Sequence, residues 1–182
     1  MTVTQIIKSI DGMLDLGITE SLAEPADMEN DVRCKKLLSC CNSVLYQLYG
    51  KYKLDPCHAV VQVSGGIVDI DPSAYSVKCI EDNSGNKLRF DYTSQGVAVS
   101  APDGRYNAVF YKVPKSLTFD AEFTLPDPRF TFKLFTYGVI AEYLRRAGDY
   151  AAADSWRRQY EDTLATAVEL SRAPKLRARR WL

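Results

Sequence analysis

Apolar residues in this chain recur first at helical spacing, then at strand spacing, then at helical spacing again. Ile6, Ile7, Ile10, Met13 and Leu14 share one side of a first helix, which Thr2 or Thr4 can cap and Gly17 can stop. After a loop holding Pro25, a second helix is predicted from about residue 26 to Tyr49, ended by Gly50. Its stripe Met28, Val32, Leu38, Cys41, Leu45, Leu48 is widened by Leu37, Cys40 and Val44. So broad an apolar face predicts a central helix.

Between residues 57 and 113 the period drops towards two. Ala59 to Val63 is short and β-branched, Ser64-Gly65-Gly66 is a turn, and Ile67 to Ile70 follows. Tyr75 to Ile80 and Lys87 to Tyr92 flank Asn83-Ser84-Gly85-Asn86, a hairpin signal. Val97 to Val99 and Tyr106 to Val113 flank a second turn at Pro102-Asp103-Gly104. Four to six antiparallel strands are expected, closed by Pro114. An irregular stretch then leads to Asp127-Pro128, which fits the cap and first position of a third helix. That helix carries Phe130, Leu134, Tyr137, Ala141 and Leu144 on one face. Gly148 ends it, and Asp149 caps a fourth helix with Trp156, Tyr160, Leu164 and Ala167 or Val168 on one side. A link this short predicts an αα-hairpin. Pro174 is read as the end of the fourth helix.

No internal repeat is visible, and no linker separates two halves. The expected fold is therefore α+β: a four-helix bundle with an antiparallel β-unit inserted between helices 2 and 3, and an extended C-terminal tail. In residues, this is one domain over 1–173, helical at 1–50 and 127–173 with the β-insert at 57–114, followed by a basic tail at 174–182.

Composition changes the picture mainly by exclusion. The chain has 182 residues, 46% hydrophobic and 25% charged, so it can bury a real core and is not a disordered or fibrous sequence. It has no apolar run of about 18 residues, which excludes a spanning helix. Its opening residues do not read as a signal peptide, so the cytoplasm is the expected compartment. The 23 Lys and Arg balance 23 Asp and Glu, which disfavours a globally basic nucleic-acid binder. The balance hides a segregation. Residues 1–31 hold seven acids (Asp11, Asp15, Glu20, Glu24, Asp27, Glu29, Asp31) against Lys8. Residues 171–182 hold five bases and no acidic side chain. Such asymmetry points to electrostatic contact with a partner.

Candidate chemistry is sparse. The five cysteines, Cys34, Cys40, Cys41, Cys57 and Cys79, are odd in number and form no C-x-x-C pair, and His58 is the lone histidine. Free thiols acting as small hydrophobes are expected rather than disulfides or structural zinc. Cys57 and His58 are the natural thiol and base for nucleophilic chemistry. Neighbours on a strand point to opposite faces, however, which works against a shared proton. Gly65-Gly66 lacks the following helix of a phosphate-binding loop. Asp69 and Asp71 are spaced to meet a hard cation on one strand face, but an acidic turn before Pro72 explains them more simply. Arg89, Phe90 and Tyr92, and Tyr106, Phe110, Tyr111 and Lys112, interleave aromatic and basic residues as single-strand binders do. Half-buried strands have the same look. The expectation is a protein with no catalytic residue, no metal and no cofactor. A nucleic-acid-binding module and a small enzyme or regulator with an unrecognised site stand as alternatives.

The tail is the clearest functional signal. Arg172, Lys175, Arg177, Arg179 and Arg180 combine with Leu176, Trp181 and Leu182 beyond a helix-ending proline. A frayed, solvated terminus is the plain reading. Charges that steer and a Trp that anchors are what a docking peptide needs, and partner docking is the reading adopted.

The full pattern resembles a known family. The order helix, long helix, β-insert, then Leu125-Pro-Asp-Pro-Arg-Phe-Thr-Phe-Lys-Leu-Phe-Thr-Tyr-Gly-Val-Ile-Ala-Glu-Tyr-Leu144 is similar to the head–tail connector (adaptor, or head-completion) proteins of tailed bacteriophages. These are related to podophage tail tubular proteins. Further likenesses are Val3-Thr4-Gln5-Ile6-Ile7, Pro102-Asp103-Gly104-Arg105-Tyr106, the turn Ala147-Gly148-Asp149, and Ala153, Trp156 and Tyr160 on the next helix. The resemblance implies a structural virion protein. It would form a homo-oligomeric ring, commonly of twelve copies, that extends the portal's DNA channel. The portal protein and a downstream tail protein would be its partners, with DNA passing through the lumen without sequence recognition and no membrane involved. Assembly would occur in the host cytoplasm, and the finished position would be the head–tail neck. The portal contact would fall on Arg172, Lys175, Leu176, Arg177, Arg179, Arg180, Trp181 and Leu182.

Overall fold

A computed structural model describes residues 1–18 and 25–172, and the side chains of residues 25–26 and 169–172 are not among what it describes. The described residues divide into two compact units, one drawn from 1–44 and 116–172, the other from 45–115.

The first unit is mainly helical. Helix α1 (Val3–Leu14) starts at Thr2, whose hydroxyl accepts from Gln5 N–H while the Gln5 side chain accepts from Thr2 N–H. This capping box chooses Thr2 over Thr4. Asp15, in left-handed backbone, closes the helix two residues before Gly17. The predicted second helix is two elements, a single turn α2 (Pro25–Met28) and the 21-residue α3 (Val32–Tyr52). The Asp31 carboxylate separates them by accepting from Arg33 N–H and Cys34 N–H, as an N-cap does. Helix α3 continues through Gly50, because one glycine costs only about 1 kcal/mol in a helix interior.

Helix α4 (Phe132–Ala147) begins at Thr131, not at Asp127, whose carboxylate instead holds the Arg129 backbone and guanidinium in a turn. Gly148 ends α4 in left-handed backbone, and Asp149 caps α5 (Tyr150–Arg172) by accepting from Ala152 N–H. The two helices form the expected αα-hairpin, with Tyr137 and Trp156 ring centroids 5.3 Å apart.

The four-helix bundle is not what these helices build. A bundle packs four helices side by side around one core, whereas α4 packs extensively on α5 and only lightly on α1. Here α1 has 12 residues against 23 for α5, or about 18 Å against about 35 Å at 1.5 Å per residue. Irregular chain takes the place of regular helix packing. Leu117, Phe119, Leu125 and Phe130 of the stretch after residue 115 are all buried. Asn42 of α3 grips that stretch, accepting from Leu117 N–H at 2.7 Å and donating to its carbonyl at 3.2 Å. Thr2 and Glu122 form a β-bridge beside it.

The central helix is also α4 rather than α3. Leu134, Phe135, Gly138, Val139 and Ile140 are buried, so α4 is covered nearly all round at mid-length. The α3 face holds Cys34, Leu37, Cys40, Cys41, Val44, Leu45 and Leu48, all buried, but Val32 is 65% exposed. Five residues at 3.6 per turn put Val32 about 140° from Leu37.

The second unit holds the end of α3 from Leu45 and one seven-stranded sheet, more than the four to six strands expected, with every pair antiparallel. Its strands are β1 (Pro56–Ser64), β2 (Ile67–Asp69), β3 (Ala74–Glu81), β4 (Lys87–Leu88), β5 (Phe90–Thr93), β6 (Gly96–Val99) and β7 (Gly104–Lys112). They lie in the order β4-β3-β7-β1-β2-β6-β5. Gly65 and Gly66, both with positive φ, make the β1–β2 turn, and Asp103 accepts from Gly65 N–H at 2.8 Å. Alternate residues face a core of Val61, Val63, Val68, Val77, Ile80, Val97, Val99, Ala108 and Phe110. The sheet curls until its ends meet, where Val77 N–H of β3 donates to the Tyr92 hydroxyl of β5 at 2.7 Å. It is a barrel short of full closure, not a simple hairpin stack slotted into a bundle.

Two turns read correctly join strands that do not pair as adjacent hairpins would. The Asn83–Asn86 turn is built by Asp82, which accepts from Ser84 and Asn86, yet only Ile80 and Glu81 pair across it before the chain departs to the other end of the sheet. The turn at Pro102-Asp103-Gly104 links β6 to β7, which lie three places apart.

Candidate functional site

The barrel's unclosed side is concave. A cavity of about 600 Å³ opens there, lined by β2, by Ile70–Pro72, by the first half of β3, and by the β5–β6 hairpin. Val68, Val77 and Val97 belong to the sheet core and supply its apolar lining. Its polar lining comes from Ser64, Asp69, Asp71, Tyr75, Ser76, Tyr92, Thr93 and Gln95. Two carboxylates and no lysine or arginine are in that lining.

Sheet pairing places this opening. Strand β4 meets β3 only at Ile80 and Glu81, so among the described residues no strand lies on that side of Ala74 to Cys79. Strand β5 ends the sheet at the other side and pairs only with β6. Two free strand edges thus face one opening, with the Tyr92 hydroxyl laid across it. The Tyr92 side of the mouth is wet, since the residue is 62% exposed. Its ring meets Phe90 edge-on at 5.9 Å.

The acidic pair divides its duties. Asp71 accepts from Ser73 N–H, from the Ser73 hydroxyl at 2.6 Å, and from the Lys112 ammonium at 2.6 Å. The Lys112 and Ser73 bonds hold its carboxyl well below the usual carboxylate range. The place a hard cation would take beside Asp71 is filled by an ammonium. Asp69 ends β2 exposed, and no salt bridge among the described residues uses it.

Cys57 and His58 fall on opposite faces of β1. Cys57 packs half-buried against the sheet core, and His58 is exposed. Opposite them on β7 stand Phe110 and Val109. The geometry does not bring thiol and imidazole together. Cys34, Cys40 and Cys41 are buried in the helical unit. Burial pushes the Cys34 and Cys40 thiols up to about 11 and the Cys41 thiol higher still. A thiol so raised is protonated and unreactive at neutral pH. Among the described residues no group of three His, Cys, Asp or Glu side chains is placed to hold a metal ion.

The interleaved strand residues have local duties. Lys112 holds Asp71 and lies 5.7 Å from the Phe110 ring centroid, while the Tyr106 hydroxyl donates to the Pro102 carbonyl. Of the expected docking residues, Arg172 ends α5. Lys175, Leu176, Arg177, Arg179, Arg180, Trp181 and Leu182 lie outside the described residues, as do Pro174, Glu20 and Glu24. No helix among the described residues is long and apolar enough to cross a membrane.

Sequence patterning missed the opening itself. Tyr92 stood out only as a strand aromatic. No local signal says that the chain pairs with β3 at only two residues and then, through Arg89 alone, runs on into β5 to pair with β6.

No protein-family model matches this sequence, and no curated protein matches it.

Proposed function

We propose that this chain is a structural connector, a ring-forming subunit between the portal and the tail of a bacteriophage, with no catalytic step of its own. The observation that carries this reading is the placement of the basic, Trp-bearing segment 174–182 directly after a 23-residue helix. A helix of that length is a stiff base for a docking peptide, about 35 Å long. The bases Lys175, Arg177, Arg179 and Arg180 steer the encounter, and Leu176, Trp181 and Leu182 supply area to bury in the partner. The resemblance over residues 125–144 supplies the partner's identity, the portal protein.

Ring geometry is compatible with the rest of the chain. A ring joins two different patches of each subunit around a closing rotation, and segregated charge offers unlike patches. A channel that conducts DNA must not hold it, because each phosphate contact adds to affinity. A chain with no net charge, and with four of its 23 bases in a docking segment that lacks acids, meets that need.

The test is assembly with a purified bacteriophage portal protein. Full-length protein should join purified portal rings as a stacked ring visible by electron microscopy, and a chain ending at residue 173 should stay folded but fail to join. Normal joining by the shortened chain would overturn the docking assignment. Failure of the full-length chain to join any portal would overturn the connector reading.

A further inference from the structure

Strands β5 and β6 hold each other more firmly than the rest of the barrel holds them. We propose that the β5–β6 hairpin is a flap, pinned at Arg89 and latched by the Tyr92 hydroxyl, that opens and closes the unclosed side of the barrel. The flap belongs to the sheet unit alone and is independent of the connector reading.

The hairpin is closed within itself. Phe90, Asp91, Tyr92 and Thr93 pair in unbroken register with Val99, Ala98, Val97 and Gly96. At the tip the Thr93 hydroxyl donates to the Gly96 carbonyl at 3.0 Å and accepts from Gln95 N–H at 3.3 Å. A hairpin fastened along its length and at its turn moves as one body.

Its attachments outward are short. Strand β6 meets β2 at Ile67–Ala98 and Val68–Val97, with Val99 N–H donating to the Gly66 carbonyl at 2.8 Å. The other edge of the hairpin, along β5, pairs with no strand among the described residues. What holds β5 there changes along its length. At its start Arg89 alone joins it to β4, which is paired to Ile80 and Glu81, and Phe90 packs half-buried on the sheet core. From Asp91 to Thr93 every residue is exposed. A strand anchored at one end and unburied at the other hinges at the anchor, because local opening starts where buried contacts are fewest.

At the loose end one hydrogen bond ties β5 back to β3. Val77 N–H donates to the Tyr92 hydroxyl at 2.7 Å. The register of β3 against β7 shifts on either side of Val77, between Ala74 and Ser76 and between Val77 and Cys79. Such shifts bend a strand and re-aim its groups. Here they fall where β3 offers an N–H to a phenol instead of to a strand. A neutral hydrogen bond of this kind changes an equilibrium roughly fivefold, so the latch can break while the long β1–β7 ladder, from Pro56–Tyr111 to Val63–Gly104, stays whole. Val68, Val77 and Val97 line the cavity beside the flap and belong to the sheet core. Opening wets these side chains, and closing shields them.

The experiment is amide relaxation dispersion by NMR on the full chain, wild type and Tyr92→Phe. In wild type, Phe90 to Thr93 and Gly96 to Val99 should share one microsecond-to-millisecond exchange process that Val61 of β1 and Ala108 of β7 lack. Tyr92→Phe keeps the ring and deletes the acceptor. It should raise the open population roughly fivefold, read at Gly96 and Ala98, which take no part in the latch bond. Flat profiles across residues 90–99 in both proteins would overturn the proposal. So would a Tyr92→Phe effect confined to Val77 and residue 92, since the bond would then serve one edge amide and nothing larger. A process shared equally by β1 and β7 would overturn it too, because the sheet would be moving as a whole.

Discussion

The helical unit closes its own backbone, and the sheet unit leaves part of its backbone open. An α-helix pairs each interior N–H with a carbonyl four residues back, so only its ends need help. In residues 1–44 and 116–172 that help is local: Thr2, Asp31, Thr131 and Asp149 cap, and Gly148 turns. A strand has no such independence. Each needs a neighbour on both sides, and a sheet that stops short of closure exposes two edges. In residues 45–115 those edges meet at a cavity bridged by one phenol. Saturated regions suit a scaffold. Unsaturated ones are where a partner adds stability.

Thiol labelling should draw this contrast most sharply. Native protein treated with iodoacetamide at pH 8 should modify Cys57 and Cys79, both half-buried on the sheet. Cys34, Cys40 and Cys41 have no exposed surface and should react at least about a thousandfold more slowly, through opening events near the global unfolding free energy. Mass spectrometry of the peptides reads it out. Rapid modification of Cys41 in native protein would erase the distinction.

Core truncation comes next. Phe135 is fully buried in α4 and meets Phe123 edge-on at 5.3 Å. Phe135→Ala should cost about 3–5 kcal/mol in a urea titration followed by circular dichroism at the helix band. A loss below 1 kcal/mol would mean the helical unit is not close-packed.

Gly138 tests that packing from the other direction. A Cβ there would lie 2.9 Å from the Tyr160 ring and 3.1 Å from Val44 Cγ1. Gly138→Ala should destabilise by up to about 2 kcal/mol, overpacking of about 1–3 kcal/mol set against a helix-propensity gain of about 1 kcal/mol. A stabilised variant would show that α3, α4 and α5 have slack at that level. Thr131→Ala, which deletes the hydroxyl accepting from Leu134 N–H, should cost about 1 kcal/mol.

The smallest effect belongs to Asp71, in the connection between β2 and β3. Its carboxyl titrates lower in the folded protein than in the unfolded chain, so its contribution is present above the unfolded value of 3.8 and is lost as pH falls through the folded one. The group is exposed, so solvent screening keeps the contribution modest. Wild type should exceed Asp71→Asn slightly in stability at pH 6, with the gap narrowing below pH 4. A gap that widens on acidification would refute the assignment.

Local rules were enough for much of this protein. The capping glycine at 148, the cap at Asp149, the αα-hairpin, the α5 face through Trp156 and Leu164, and the turns at Gly65-Gly66 and Asn83–Asn86 are all set by residues within one or two turns of each other. The opposed faces of Cys57 and His58 follow from strand geometry alone. Long-range competition decided the rest. Thr131 rather than Asp127 starts α4, while Phe130 packs into the core just before it. Helix α4 rather than α3 became the hub because burial depends on what surrounds a stripe, not on the stripe's width. The strand order, the unclosed side and the Tyr92 bridge are products of pairing between residues far apart in the chain. Pairing of that kind is chosen by the whole sheet competing for partners, and periodicity along one strand carries no record of which neighbour wins.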